Sequence, residues 1–180
     1  DPAVGPFVDG AVPLQGKPLS FNNLLDASAA AAMGRDLVGD AVVIVKHGNP
    51  CGAAEADDLV TAWDRALEAD PISAFGGVVA VRGTVNKVLA QRLTSLFLEV
   101  VVAEGFEAEA REVLATKPDL RLLEDHTITQ PTTVALEARA AGGGVLLMTS
   151  DVEPDDAAAW RTVSRREPTE QELSDLGFAW

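Results

Sequence analysis

At 180 residues, 47% of them apolar, the chain can bury one sizeable core, or one domain and part of another, and its composition is globular. A formal charge of −14 with scattered basic residues excludes a nucleic-acid or anionic-membrane surface, because both need clustered Lys and Arg to displace counterions. One cysteine excludes an internal disulfide framework and two histidines make a cysteine-rich zinc site a poor fit. With no apolar run of about eighteen residues and no signal core in "DPAVGPFVDG", a soluble, cytoplasmic protein is expected.

In chain order, "PLQGKPLSFNNLLDASAAAAM" reads as a short strand or loop handing over to a helix at Asn23 or Asp26, where the asparagine pair can serve as a cap. The mostly β-branched run Ala41 to Val45 predicts a strand covered on both faces, since a half-exposed strand alternates. Lys46 and His47 end it, and Gly48, Asn49, Pro50 and Gly52 are expected to break it. Asp57 and Asp58 offer an N-cap to a helix whose apolar face is Leu59, Val60, Trp63, Ala66 and Leu67, with Trp63 read as core. "DPISAFGG" is a turn-rich loop into the run Val78 to Val81, and Thr84 is expected to cap a helix striped by Val85, Val88, Leu89 and Leu93.

"FLEVVVAEG" reads as an apolar strand carrying Glu99, which would be costly if buried unpaired. A helix follows around Glu107 to Ala115, and "DLRLLE", "GVLLMT" and "WRTVS" read as short strands. Residues 125–144 lack a sustained period and hold three consecutive glycines, so an irregular excursion or linker is expected. At the end, Thr169 and Glu172 form a capping box for a helix with the stripe Leu173, Leu176 and Trp180. The β-α-β-α-β order over 41–103 predicts an α/β fold, a three-layer α/β/α sandwich with a largely parallel mixed sheet. In such sheets ligands bind beyond the carboxyl ends of the strands, where Lys46 and His47 are expected.

The Lys-His pair has a bland reading, a solvated strand end, and three chemical ones. Zinc-dependent deamination needs a second cysteine after the Pro-Cys dipeptide and a His-x-Glu upstream, and "KHGNPCGAA" has neither. Cys51 with His47 as base would make a thiol nucleophile, but a small cysteine beside glycines is more often packing. The third uses His47 as a general base near neutrality and Lys46 as a fixed cation beside a developing oxyanion, without metal or thiol. Adjacent residues of an extended chain point to opposite sides, so a twist beginning at Gly48 is required to aim both at one place.

Taken together, "LQGKPLSFNNLLDA", "KHGNPCGAA", "DPISAFGGVVA", "FLEVVVAEGF" and "RREPTEQELSDLGFAW" resemble the bifunctional purine-biosynthesis family that joins a formyltransferase to IMP cyclohydrolase. These blocks lie in the same order across nearly all of the chain and belong to the transferase portion, which acts on 5-aminoimidazole-4-carboxamide ribonucleotide (AICAR). The resemblance implies a cytidine deaminase-like fold, duplicated within that portion. It also implies 10-formyltetrahydrofolate as co-substrate, no catalytic metal, and a homodimer.

By position, the resemblance makes His47 the base and Lys46 the transition-state stabiliser. It matches Asn23, Gly76 and Glu99 to substrate-contacting positions, with Phe75 near the base ring. The departures matter too. The cyclohydrolase portion is missing, as are an Arg-Tyr segment before "DPAV" and a later segment that supplies an asparagine. The expected organisation is therefore a first lobe over 1–149 and the opening of a second over 150–180, giving an incomplete site. The end of the chain looks truncated, and its aromatic tail is expected to pack on another chain or on further residues.

Overall fold

The computed structural model describes residues 12–153 and 156–180, so the amino-terminal stretch read for a signal lies outside the described residues. The chain forms two compact units that meet in sequence at Thr132 and Thr133. In the first, a helix α1 (Phe21–Asp36) precedes strands β1 (Asp40–Lys46) and β2 (Asn49–Ala56). Helix α2 (Leu59–Ala69), strand β3 (Gly77–Val85), helix α3 (Lys87–Thr94), strand β4 (Leu98–Phe106), helix α4 (Ala108–Leu114) and strand β5 (Arg121–Glu124) follow.

The five strands form one mixed sheet in the order β2-β1-β3-β4-β5. Alternation along β1 divides the core. Val42 and Ile44 join Trp63, Leu89, Leu93 and Leu114 in the cluster under α2, α3 and α4. Val43 and Val45 join Ala27, Ala30 and Ala31 of α1 on the opposite face. This is the three-layer α/β/α sandwich expected from the strand's unbroken apolar run. Alanines on α1 keep its buried side thin, which lets the helix lie close over the sheet.

The expected strand break at residues 48–52 is corrected by a hairpin. Lys46 pairs with Asn49, so His47 and Gly48 form a two-residue turn, and β2 runs on through Pro50 and Gly52. Pro50 is tolerated because β2 is the outer strand of the sheet. Gly52 is there for space rather than for a turn, since a Cβ on it would lie 2.0 Å from the Ala66 carbonyl oxygen of α2.

The hairpin also changes the topology. Both β2 and β3 pair antiparallel with β1, so they run in the same direction on either side of it and α2 crosses over β1 between them. The parallel pairings are β3 with β4 and β4 with β5. Lys46, at the carboxyl end of β1, therefore lies beside the amino-terminal ends of β3 and β4, and the rule that places ligands at the carboxyl ends of parallel strands does not locate this site.

Two helix starts differ from expectation. Ser20, not Asn23 or Asp26, is the N-cap of α1, with Asn23 closing its capping box, and Asn86 rather than Thr84 caps α3 because β3 extends to Val85. Asp58 caps α2 as predicted, through bonds from the Val60 and Thr61 amides. Residues Leu14 and Gln15 add a short antiparallel bridge to β5, and the Gln15 amide donates to the Leu114, Lys117 and Leu120 carbonyls at the end of α4.

The second unit contains a hairpin of β6 (Leu136–Ala141) and β7 (Gly144–Thr149), a short 3-10 turn at Ala157–Ala159, and a helix α5 (Glu170–Ala179). The predicted strand "GVLLMT" is β7. Its partner β6 lies inside the stretch expected to be irregular, and "WRTVS" forms no strand. Glycines 142 and 143, with φ of 57° and 88°, make the tight turn that joins β6 to β7. The Thr169–Glu172 capping box starts α5 as its sequence predicts. Among the described residues no helix is long and apolar enough to cross a membrane.

Candidate functional site

The turn at the end of β1 has two residues with positive φ, His47 at 55° and Gly48 at 77°. That is the pattern of a type I′ hairpin turn, whose twist matches the flanking strands. Glycine enters it freely. Histidine in this left-handed region costs about 1 to 2 kcal/mol, so the neighbouring structure must hold it there. The Asp26 carboxylate of α1 does so, accepting the Gly48 amide at 2.7 Å and the His47 amide at 3.3 Å. On the other side the His47 carbonyl accepts from the Asn49 side chain at 3.2 Å. The imidazole stands exposed at the tip.

Lys46 is half-buried, and its ammonium donates to the Phe75 carbonyl at 2.6 Å, crossing from β1 to the "SAFGG" loop. Asp70 shapes that loop by accepting the Ile72 and Ser73 amides. The Ser73 hydroxyl and amide hold the Asp70 carboxyl below the usual carboxylate range, and the charge of Lys46 acts in the same direction. Gly76 then turns the chain with φ of 74° and donates its amide to the Phe97 carbonyl at 2.7 Å. The Phe75 and Phe97 rings lie 5.3 Å apart at a tilt of 44°, each more than half exposed.

Glu99 owes its direction to a bulge. Gly77 pairs with Leu98 and Val78 with Val100, which leaves Glu99 as the extra residue of β4. Its carboxylate accepts from the Asn23 side chain and from Arg121 of β5, each at 3.1 Å. The cost of an unpaired acid in an apolar strand is thus avoided by a pairing, while 39% of the Glu99 side chain stays exposed. Asn23 itself is buried, and its carbonyl oxygen accepts the Ser20 amide at the start of α1.

A second bulge sets Cys51 apart from this end. Ile44 pairs with Gly52 and Val45 with Pro50, leaving Cys51 as the extra residue of β2, with its thiol directed at the Ile44 carbonyl at 3.5 Å. Burial pushes the thiol's pKa up, and the charge of Asp70 adds to the effect. A thiol that resists ionisation and packs against the core is a poor nucleophile, in keeping with the packing reading of this residue.

The six residues singled out in the sequence thus gather at one end of the sheet. Lys46 and His47 come from the β1–β2 hairpin, Phe75 and Gly76 from the loop before β3, Glu99 from β4 and Asn23 from α1. Of three further residues that build this end, two escape a sequence reading. Asp26 looks like one more surface acid on a helix, and Arg121 like one charge in a short strand. Asp70 carries a legible signal in its Asp-Pro turn. Arg121 also bears on the charge of the chain, because it and Lys46 are cations placed individually at this end of an acidic molecule.

A cleft of about 800 Å³ lies elsewhere, in the second unit, between the segment after Trp160 and α5. Its Arg166 and Glu172 are paired with each other, Nη1 and Nη2 each donating to a carboxylate oxygen at 2.9 and 2.7 Å.

A family model described as the AICARFT/IMPCHase bienzyme matches residues 4–180. The Bifunctional purine biosynthesis protein PurH of Prochlorococcus marinus (strain MIT 9313) is 49% identical over 181 residues, covering 95% of this chain and 35% of the relative. Proteins of the same name from Synechococcus sp. (strain CC9902) and Limosilactobacillus reuteri (strain DSM 20016) are 48% and 43% identical, covering 95% and 93% of this chain and 35% and 33% of their own lengths. The chain spans about a third of the length of the curated relatives it matches.

Proposed function

The chain belongs to the AICARFT/IMPCHase bienzyme family, and from that premise we propose that it serves purine biosynthesis as part of a formyltransferase, carrying the catalytic pair of an otherwise incomplete site. The reaction moves a formyl group from 10-formyltetrahydrofolate to the 5-amino group of AICAR. That amine is conjugated with the imidazole ring and is a weak nucleophile, so a base must take its proton as it attacks the formyl carbon. His47 is that base. The new C–N bond leaves a tetrahedral oxyanion, which the Lys46 ammonium stabilises. Collapse of this intermediate breaks the bond to N10 of the folate, and the imidazolium returns its proton to the departing nitrogen. Neither step calls on a metal.

The observation that carries this reading is the turn itself. It leaves His47 exposed at the hairpin tip with a left-handed φ that departs from the extended strand, while the adjacent Lys46 reaches the Phe75 carbonyl. An ammonium has three donors, so Lys46 can keep the Phe75 carbonyl and still meet a ligand oxygen. Asn23, Phe75, Gly76 and Glu99 surround the nucleotide in this proposal. Glu99 offers its exposed carboxylate to a ligand donor, and the Gly76 turn allows close backbone approach. Formyl transfer by the complete protein carrying His47→Ala is expected to fall by about 10² to 10⁴-fold, the range for loss of a general base. Turnover near that of the unaltered protein would remove His47 from this role.

A second reading is a nucleotide-binding or dimerising module without turnover of its own. It is favoured by the second unit, where every residue of β6 and β7 is exposed, Val145 to Met148 included. A two-stranded hairpin is marginal alone, and an apolar one needs a covering surface. Titration of the isolated chain with AICAR and with the folate, alongside the transfer assay, separates the two: binding without transfer favours the module.

A further inference from the structure

We propose that Asp26 is a positioning residue for His47, holding the hairpin turn in the one geometry that aims the imidazole. The inference rests on the reading of His47 as the base. Type I′ turns favour Asn-Gly and Asp-Gly, whose first residue enters the left-handed region with least strain. A His-Gly turn lacks that preference. Asp26 supplies the missing restraint from another element, since its two carboxylate oxygens accept the two successive amides of the turn, Oδ1 from Gly48 at 2.7 Å and Oδ2 from His47 at 3.3 Å. Such bonds to an ionised acceptor are stronger than neutral ones.

The helix that brings Asp26 is fixed independently of the turn. Its capping box at Ser20 and Asn23 sets its start, and Ala27, Ala30 and Ala31 bury one side of it against the sheet. Asn23, one turn before Asp26, bonds Glu99. A single rigid helix face therefore sets both the base turn and the bulged acid of β4, and the distance between them follows from helix geometry rather than from the loops.

The test uses the protein as its gene encodes it, with Asp26→Asn and Asp26→Ala. His47–Gly48 is the one His-Gly pair within these 180 residues, so carbonyl labelling of histidine with amide labelling of glycine selects the Gly48 amide resonance, identified as the signal that disappears in His47→Ala. The Asn variant keeps one acceptor oxygen and the Ala variant none. The expected result is a graded upfield move of that resonance, with kcat lower by about 10-fold for Asn and about 100-fold for Ala, the scale of a misplaced catalytic group. KM for both substrates stays within about twofold, because Asp26 acts through His47 and not on the ligands. If the Ala variant fails to fold, the Asn variant decides. Unchanged kcat in a folded variant overturns the proposal, as does a Gly48 resonance that does not move. Should His47→Ala leave turnover intact, the functional reading fails instead, and the resonance still judges the turn.

Discussion

Asn23 serves a helix cap and the Glu99 carboxylate with opposite ends of one amide. Its oxygen completes the cap of α1 and its nitrogen holds Glu99, so the two readings of the Asn-Asn pair are compatible rather than rival. Asn23→Ala is expected to destabilise the first unit by about 1 to 3 kcal/mol, from the lost cap bond and from a carboxylate deprived of a donor, measured by urea unfolding. At the other end of the chain, Glu172 accepts two bonds from Arg166, along with the amide and hydroxyl of Thr169, and these lower its pKa from 4.5 to about 2. A carboxyl whose folded pKa is depressed stabilises the fold above its unfolded value. The contribution to α5 is thus complete above about pH 4.5 and lost as pH falls toward 2. Carboxyl resonances followed through that window should place the Glu172 midpoint near 2; a midpoint near 4.5 would mean that the Arg166 clamp does not hold in solution.

At the scale of elements, glycines in the β1–β2 hairpin do different work and should fail differently. Gly48 has nothing within 4 Å of an added Cβ and is needed only for its φ of 77°. Gly48→Ala should therefore cost about 1 kcal/mol. Gly52 has ordinary space on no side that matters, because its Cβ would meet the backbone oxygen of Ala66 and the strand and helix would have to part. Gly52→Ala should cost about 3 kcal/mol, the upper range for overpacking. Equal effects in thermal or urea melts would contradict this division of roles. Bulges explain the fate of Cys51 in this hairpin and of Glu99 in the β3–β4 pair: each is the extra residue, and a bulge re-aims one side chain without ending the strand.

Across the whole molecule, both apolar clusters are built from residues no later than Ile128, and their largest buried side chain is Trp63. The first unit therefore holds its own core. Deleting residues 133–180 is expected to leave its melting temperature within a few degrees, whereas Trp63→Ala should destabilise it by about 3 to 5 kcal/mol. A collapse of the first unit on deletion would show that the second contributes to its stability. The second unit has the opposite character, with Leu136, Val145, Leu146, Leu147 and Met148 all more than half exposed. Its elements satisfy their backbone bonds but bury little, so a separate, low and broad transition is expected for it in calorimetry.

The elements legible from sequence alone are those whose signals are local. The β1 run is unbroken because both faces are covered. The Asp58 cap of α2 and the Thr169–Glu172 box of α5 sit within four residues of what they bond, and the Lys46–His47 pair stands out where an apolar strand stops. The quoted blocks were sufficient to recognise the family. What needed the tertiary structure was every feature that depends on a partner distant in sequence. Pro50 and Gly52 read as breakers until β2 is known to be an edge strand lying tight against α2. The antiparallel pairing of β1 with β3 follows from a hairpin whose turn is held by Asp26, about twenty residues upstream. The pairing of Glu99 with Asn23 and Arg121 spans three elements. Local propensity encodes caps, turns and periods, but strand direction and the partners of a buried charge are decided by which surfaces meet, and that is a property of the folded chain rather than of any window within it.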